Sequence, residues 1–181
     1  RVMRVPKVFE TDSCSKLENS LFPRFAEYFV TYNTEHYMTT WCVRNSKNLY
    51  GALAKEKDLQ GKKIYAVYMI HREKNTSIRP LLARDKDIGW ANHAFLVVDG
   101  LVLDQDYSDR PQILGLDEYL AKMWGTNAKD YIFQVRDAST INGYTDELVR
   151  KSIASNEHRI FLNEAALKGF FATAPCAKQG E

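Results

Sequence analysis

Three residues of this chain, in the order Cys42, His93 and Asp104, have the types that build an activated thiol nucleophile. A cysteine attacks carbonyl carbon as its thiolate. It needs a base to manage protons, and that base works best when a carboxylate fixes its tautomer. Cys42 directly follows Trp41 and opens a segment with helical periodicity. Unpaired N–H groups and the helix dipole favour anionic sulfur at such a position. The apolar stripe of this segment is Leu49, Tyr50 and Leu53, and stepping back by turns the same face meets Ser46 and Cys42, so its sulfur is expected to meet packed structure rather than bulk water. His93 opens the run His93-Ala-Phe-Leu-Val-Val98, which is followed by Asp99-Gly100 and Leu101-Val-Leu-Asp-Gln-Asp106. Asp-Gly between two apolar runs marks a two-residue hairpin turn. With Val98 paired to Leu101, His93 falls opposite Asp106 and diagonal to Asp104, and both carboxylates share its face. Asp104 directly follows an apolar strand, where a carboxylate is costly unless paired, so it is preferred as the orienter, with Asp106 the alternate.

The oxyanion formed during attack would be held by the Cys42 backbone N–H and a second donor. Asn33, Thr40 and the Trp41 indole are the candidates for that donor, and Trp41 and Trp90 are candidate walls for an acyl chain. His71, His36 and His158 lack comparable settings. Asp85 and Asp87 lie in a charged stretch and read as solvated. A metal site would need more ligands than one histidine and two carboxylates, and with no Cys-x-x-Cys pair a zinc site is not expected. No cofactor is expected.

These residues need elements to carry them. A helix is expected from Ser13 or Ser15 through Phe29 (about 15–31), with Pro23 tolerated only in a first turn. Thr31 to Thr40 reads as loop, and a second helix runs from Cys42 to about Lys57. Residues 62–71 read as a strand and 72–89 as a long charged excursion. After the hairpin come a short helix at 116–124 stopped by Gly125, a strand from Tyr131 to Arg136, and a helical part from Thr145 to Phe171 capped by Thr145. Residues 172–181 read as frayed. Helices segregated from a mainly antiparallel sheet make an α+β domain. One domain is expected over residues 1–181, with its core at about 33–135.

The chain has 181 residues, 45% of them hydrophobic, enough for a core without staples. A net charge of +2 is too mild for a nucleic-acid surface, and no apolar run is long enough to span a bilayer. Neither a nucleic-acid partner nor a membrane span is therefore expected. Cys14 and Cys176 lie near the two ends, where a disulfide would staple them and leave Cys42 as the odd free thiol; three unrelated reduced cysteines is the alternative. The start at Arg1 rather than Met, with no signal-peptide layout, allows a processed precursor and a secreted or extracytoplasmic setting.

The segments Trp41-Cys42-Val43-Arg44-Asn45 and Trp90-Ala-Asn-His93 through Asp104 resemble the papain-like and transglutaminase-like superfamily of cysteine enzymes. In size and spacing they are most similar to its compact bacterial protein-glutamine deamidases. The resemblance covers roughly residues 33–135 and includes the helix Leu116 to Met123. It implies a papain-like or transglutaminase-like core, with Cys42 as nucleophile, His93 as base and Asp104 as orienter. It also implies hydrolysis of glutamine side-chain amides of a protein or peptide substrate through a thioester. A peptidase or transglutaminase shares that chemistry, and a binding module on the same fold is the rival from another class.

Overall fold

The computed structural model describes residues 12–35, 42–82, 89–141, 147, 149–151 and 159–180, with only the backbone described for 30–35. Its centre is a six-stranded sheet in the order β4-β3-β2-β1-β5-β6. The strands are β1 (Ile64–His71), β2 (His93–Val98), β3 (Leu101–Leu103), β4 (Leu114–Gly115), β5 (Tyr131–Asp137) and β6 (Arg159–Phe161). Every neighbouring pair is antiparallel. The protein is thus a mixed α+β domain with an antiparallel sheet, as expected from the order of elements.

Strand parity divides the core. Ala66, Tyr68, Ala94, Leu96, Val98, Leu101 and Leu103 pack under α1 (Ser13–Glu35) and α2 (Cys42–Leu53). Val67, Met69, Phe95, Val97 and Val102 pack on the other face against Tyr119, Leu120, Met123, Trp124, Leu167 and Phe171. Those partners come from α3 (Leu116–Tyr119), a π turn over Leu120–Trp124, and the segment around α4 (Glu164–Phe170).

Helix α1 departs from expectation at both ends and in the middle. Its cap is Asp12, whose carboxylate accepts from the Ser15 N–H at 2.9 Å, rather than Ser13 or Ser15. It continues to Glu35, so residues 31–35 are helical and not loop. Pro23 lies in the helix interior. There it removes the bond to the Asn19 carbonyl, at a cost of about 3 kcal/mol. Leu21, Phe22, Phe25, Ala26 and Phe29 are buried on the same helix, and each large side chain contributes roughly 1.5–3 kcal/mol. Packing therefore outweighs the proline.

The hairpin register is as read from the sequence: Val98 pairs with Leu101, with Asp99 and Gly100 at φ 51° and 92°. Helix α2 ends at Leu53, short of Lys57, and Tyr50 is only partly buried on its face. The charged excursion after β1 is pinned by an Ile78–Trp90 bridge, with Ile78 fully buried; Asp85 and Asp87 lie outside the described residues. The expected long C-terminal helix is interrupted by β6: residues 147 and 149–151 are helical before it and α4 follows it, while Thr145 and His158 lie outside the described residues. Phe161 on β6 pairs with Phe133 and packs on Phe170, so aromatic pairing with β5 wins over helix continuation.

The C-terminal segment is not frayed. Cys176 is disulfide-bonded to Cys14. The Cys176 N–H donates to the Asp99 carbonyl at 2.8 Å, and the Gly115 N–H donates to the Gln179 carbonyl at 2.7 Å. A side chain at Gly100 or Gly115 would run into the backbone of Ala177 or Gln179. Because the disulfide closes a sequence separation of 162 residues, replacing both cysteines by serine is expected to cost 2–5 kcal/mol. Urea melts of the oxidised protein and the double variant would measure it; equal midpoints and slopes would contradict it.

Candidate active site

The site lies where the start of α2 meets the start of β2. Buried residues Cys42, Asn45, Ser46, Leu49 and Leu53 form one face of α2. Ser46 Oγ donates to the Ala94 carbonyl at 3.5 Å, tying the helix to β2 one turn beyond the thiol. Cys42 is the free cysteine, 2% exposed. Its Sγ lies 3.8 Å from Asn92 Oδ1, immediately before His93.

His93 is completely buried. As the first residue of β2 it points to the face of Phe95 and Val97, where its ring lies 4.9 Å from that of Trp90 and 5.6 Å from that of Trp124. Its Nε2–H donates to Asp104 Oδ2 at 2.7 Å. Asp106 is farther, with Oδ2 4.0 Å from His93 Nδ1. Of the two carboxylates, Asp104 is thus the one bonded to the imidazole.

Neither aspartate is on a strand: β3 ends at Leu103, and the chain turns so that the Asp106 N–H donates to Asp104 Oδ1 at 2.8 Å. This is the side-chain-capped turn that aspartate favours. Tyr119, from α3, donates its hydroxyl to Asp104 Oδ2 at 2.5 Å, and the Trp124 indole N–H donates to that hydroxyl at 3.2 Å. Asp104 therefore accepts from an imidazole, a phenol and a backbone amide. A carboxylate this deeply buried is tolerable only with such compensation.

Burial alone would discourage charge on His93, yet the Asp104 carboxylate outweighs it and holds the imidazole pKa well above 6.5. The Cys42 thiol raises it further. Nε2 is taken by Asp104, so Nδ1, which has no hydrogen-bond partner among the described residues, is the ring atom left for another group. Burial also pushes the Tyr119 hydroxyl well above its usual range, keeping it a donor.

The raised His93 pKa has a consequence for stability. The unfolded chain sheds this proton near pH 6.5, while the folded one retains it. The stability supplied by the pair is thus complete below pH 6.5 and fades as pH rises through the folded-state value. The stability difference between the wild type and Asp104→Asn is expected to shrink from pH 6 to pH 9 in parallel urea melts. A difference that grows would contradict the assignment.

The remaining sequence candidates fall as follows. Trp90 is buried, with its ring against those of His93 and Trp124. Asn33 is in the last turn of α1 rather than in a loop, and its side chain is outside the described residues. Thr40, Trp41 and His36 also lie outside them. His71 Nδ1 accepts from the Glu73 N–H, a local turn contact. Cys14 is consumed by the disulfide. His93, Asp104 and Asp106 also present ligand-type atoms within 4.8 Å of one another, the set among the described residues that could hold a cation.

Sequence reasoning missed Tyr119, Trp124, Asn92 and Asn45. Asn92 was readable from its place beside His93. Asn45 was readable as a polar residue on the apolar face of α2; it is 2% exposed with neither carboxamide atom bonded. Each unpaired buried group costs about 1–3 kcal/mol, so this residue is expensive as it stands.

The chain matches no protein-family model and no curated protein sequence.

Proposed function

We infer that the protein is a cysteine-dependent amidohydrolase that deamidates glutamine side chains of proteins, on a papain-like or transglutaminase-like core. The observation that carries this reading is the buried His93–Asp104 hydrogen bond beside the start of α2, where the Cys42 thiol helps to raise the imidazole pKa. In the proposed reaction Sγ attacks the carboxamide carbon, forming an S–C bond while the carbonyl oxygen takes the charge. Collapse breaks the C–N bond as His93 delivers its proton to nitrogen, releasing ammonia. His93 then takes a proton from water, whose oxygen attacks the thioester. The C–S bond breaks, leaving glutamate and the free thiol.

Burial favours a side-chain amide over a main chain. With Cys42 2% exposed and His93 fully buried, a slender carboxamide arm reaches the sulfur more readily than a strand laid across it. The Cys14–Cys176 disulfide fits an oxidising compartment. Among the described residues no helix is long and apolar enough to cross a membrane.

The test is incubation with casein, assaying ammonia and new amino termini together, with and without a chelator. Ammonia without new termini, unchanged by the chelator, is the expected result. New termini would mean a peptidase. Ammonia lost to the chelator would point to a cation at His93, Asp104 and Asp106. Neither product would favour a binding module.

A further inference from the structure

Asn45 is the residue on the buried face of α2 that the proposed chemistry leaves unused. It follows Cys42 by three residues. That spacing places it on the same side of the helix, rotated by about 60°, and side chains lean toward the helix N-terminus, over the turn that Cys42 begins. Both Nδ2 and Oδ1 are buried without a partner. Among the buried amide side chains of the described residues it is the one with both atoms unpartnered; Gln134, by comparison, has its Oε1 engaged by Arg136 at 3.1 Å. Buried polar groups in folded proteins are almost always paired, so a carboxamide left entirely open implies a partner from outside the chain.

Its two open atoms define that partner. A primary carboxamide carries its oxygen and one N–H on the same edge, so two such groups can face each other through two hydrogen bonds. A trans peptide bond turns its N–H away from its oxygen and has no such edge. Sulfur attacks perpendicular to the carboxamide plane, which leaves the edge free for pairing. Resting on the reading of Cys42 as the nucleophile in amide chemistry, we propose that Asn45 determines specificity by reading a primary carboxamide at the thiol. Its Nδ2–H donates to the substrate carbonyl oxygen, and its Oδ1 accepts from the N–H on the same edge. The first bond strengthens as that oxygen becomes negative, so Asn45 also serves as an oxyanion donor. Main-chain amides are excluded because they lack the second bond.

Alkylation of Cys42 tests this without a known substrate. Iodoacetamide and N-methyliodoacetamide carry the same electrophilic carbon, but the methyl group of the second replaces the N–H on the oxygen's edge. The ratio of their rates at Cys42, divided by the ratio for glutathione, is expected to be at least about tenfold in favour of iodoacetamide, a modest value for a site built on hydrogen bonds to the discriminated group. Asn45→Leu, similar in size, is expected to bring the ratio down to that of glutathione. A wild-type ratio equal to that of glutathione overturns the proposal, whether or not the variant folds. So does a ratio that survives in Asn45→Leu. Fast labelling by both reagents alike would remove the role of Asn45 and leave the nucleophile standing. Labelling by neither faster than glutathione would remove both.

Discussion

Cys42→Ala is expected to abolish ammonia release from casein, a loss on the order of 10⁶-fold in turnover. The size of the effect follows from the mechanism. Without sulfur no thioester forms, and His93 and Asp104 have no nucleophile to serve. The substitution removes one buried atom from the face that α2 lays on β2, where Leu49 and Leu53 still pack. The variant should therefore melt close to the wild type, so that lost activity cannot be blamed on lost structure. Ammonia release that survives the substitution would end the thiol mechanism outright.

The second large effect separates the two aspartates. Asp104→Asn is expected to lower turnover by about 10⁴-fold, as for an orienting carboxylate in other triads. Asp104 Oδ2 accepts from His93 Nε2, which leaves Nδ1 for the sulfur. An asparagine that turns its amide toward Nε2 drives the ring proton to Nδ1, where it blocks acceptance from the thiol. It also removes the charge that keeps the imidazole protonated well above pH 6.5. Asp106→Asn retains the backbone N–H that Asp104 Oδ1 uses, and changes only a carboxylate 4.0 Å from Nδ1. Its loss should stay within about tenfold, since the bonded geometry of the pair is untouched. Steady-state ammonia release by the two variants, with thermal melts alongside, decides between them. Equal losses would mean that the two carboxylates act as one charge and not as orienter and neighbour.

Much of this site was readable because it depends on local rules. An Asp-Gly turn fixes a hairpin register, and register fixes which residues share a face. That was enough to bring His93 toward Asp104 and Asp106. The choice between them was decided by something less local: β3 stops at Leu103, and Asp104 then turns to accept the Asp106 N–H. Tyr119 could not be foreseen as a partner of Asp104, because the connection between them must first fold back through β4. Pro23 misled for a different reason. Helix propensity is summed over a few residues, whereas the apolar face that overrides it is summed over the whole helix. The Arg159–Phe161 strand is too short to announce itself by alternation and owes its form to β5.

The bond between Cys14 and Cys176 changes what kind of object the chain is. With those Cα atoms 5.5 Å apart, a sequence separation of 162 residues becomes a closed covalent ring. A ribosome delivers Cys14 long before Cys176, so the ring can be sealed only after all six strands of the sheet have been synthesised. Until then α1, which precedes Cys42 in the chain, and the Asp99–Gly100 turn, which sets the histidine hairpin, lack their common clamp. Assembly of the candidate site is thereby tied to closure of this one disulfide. A protein engineer could cut the ring in an exposed turn such as Glu73–Asn75, and the clamp would still hold the two pieces together as one covalent molecule.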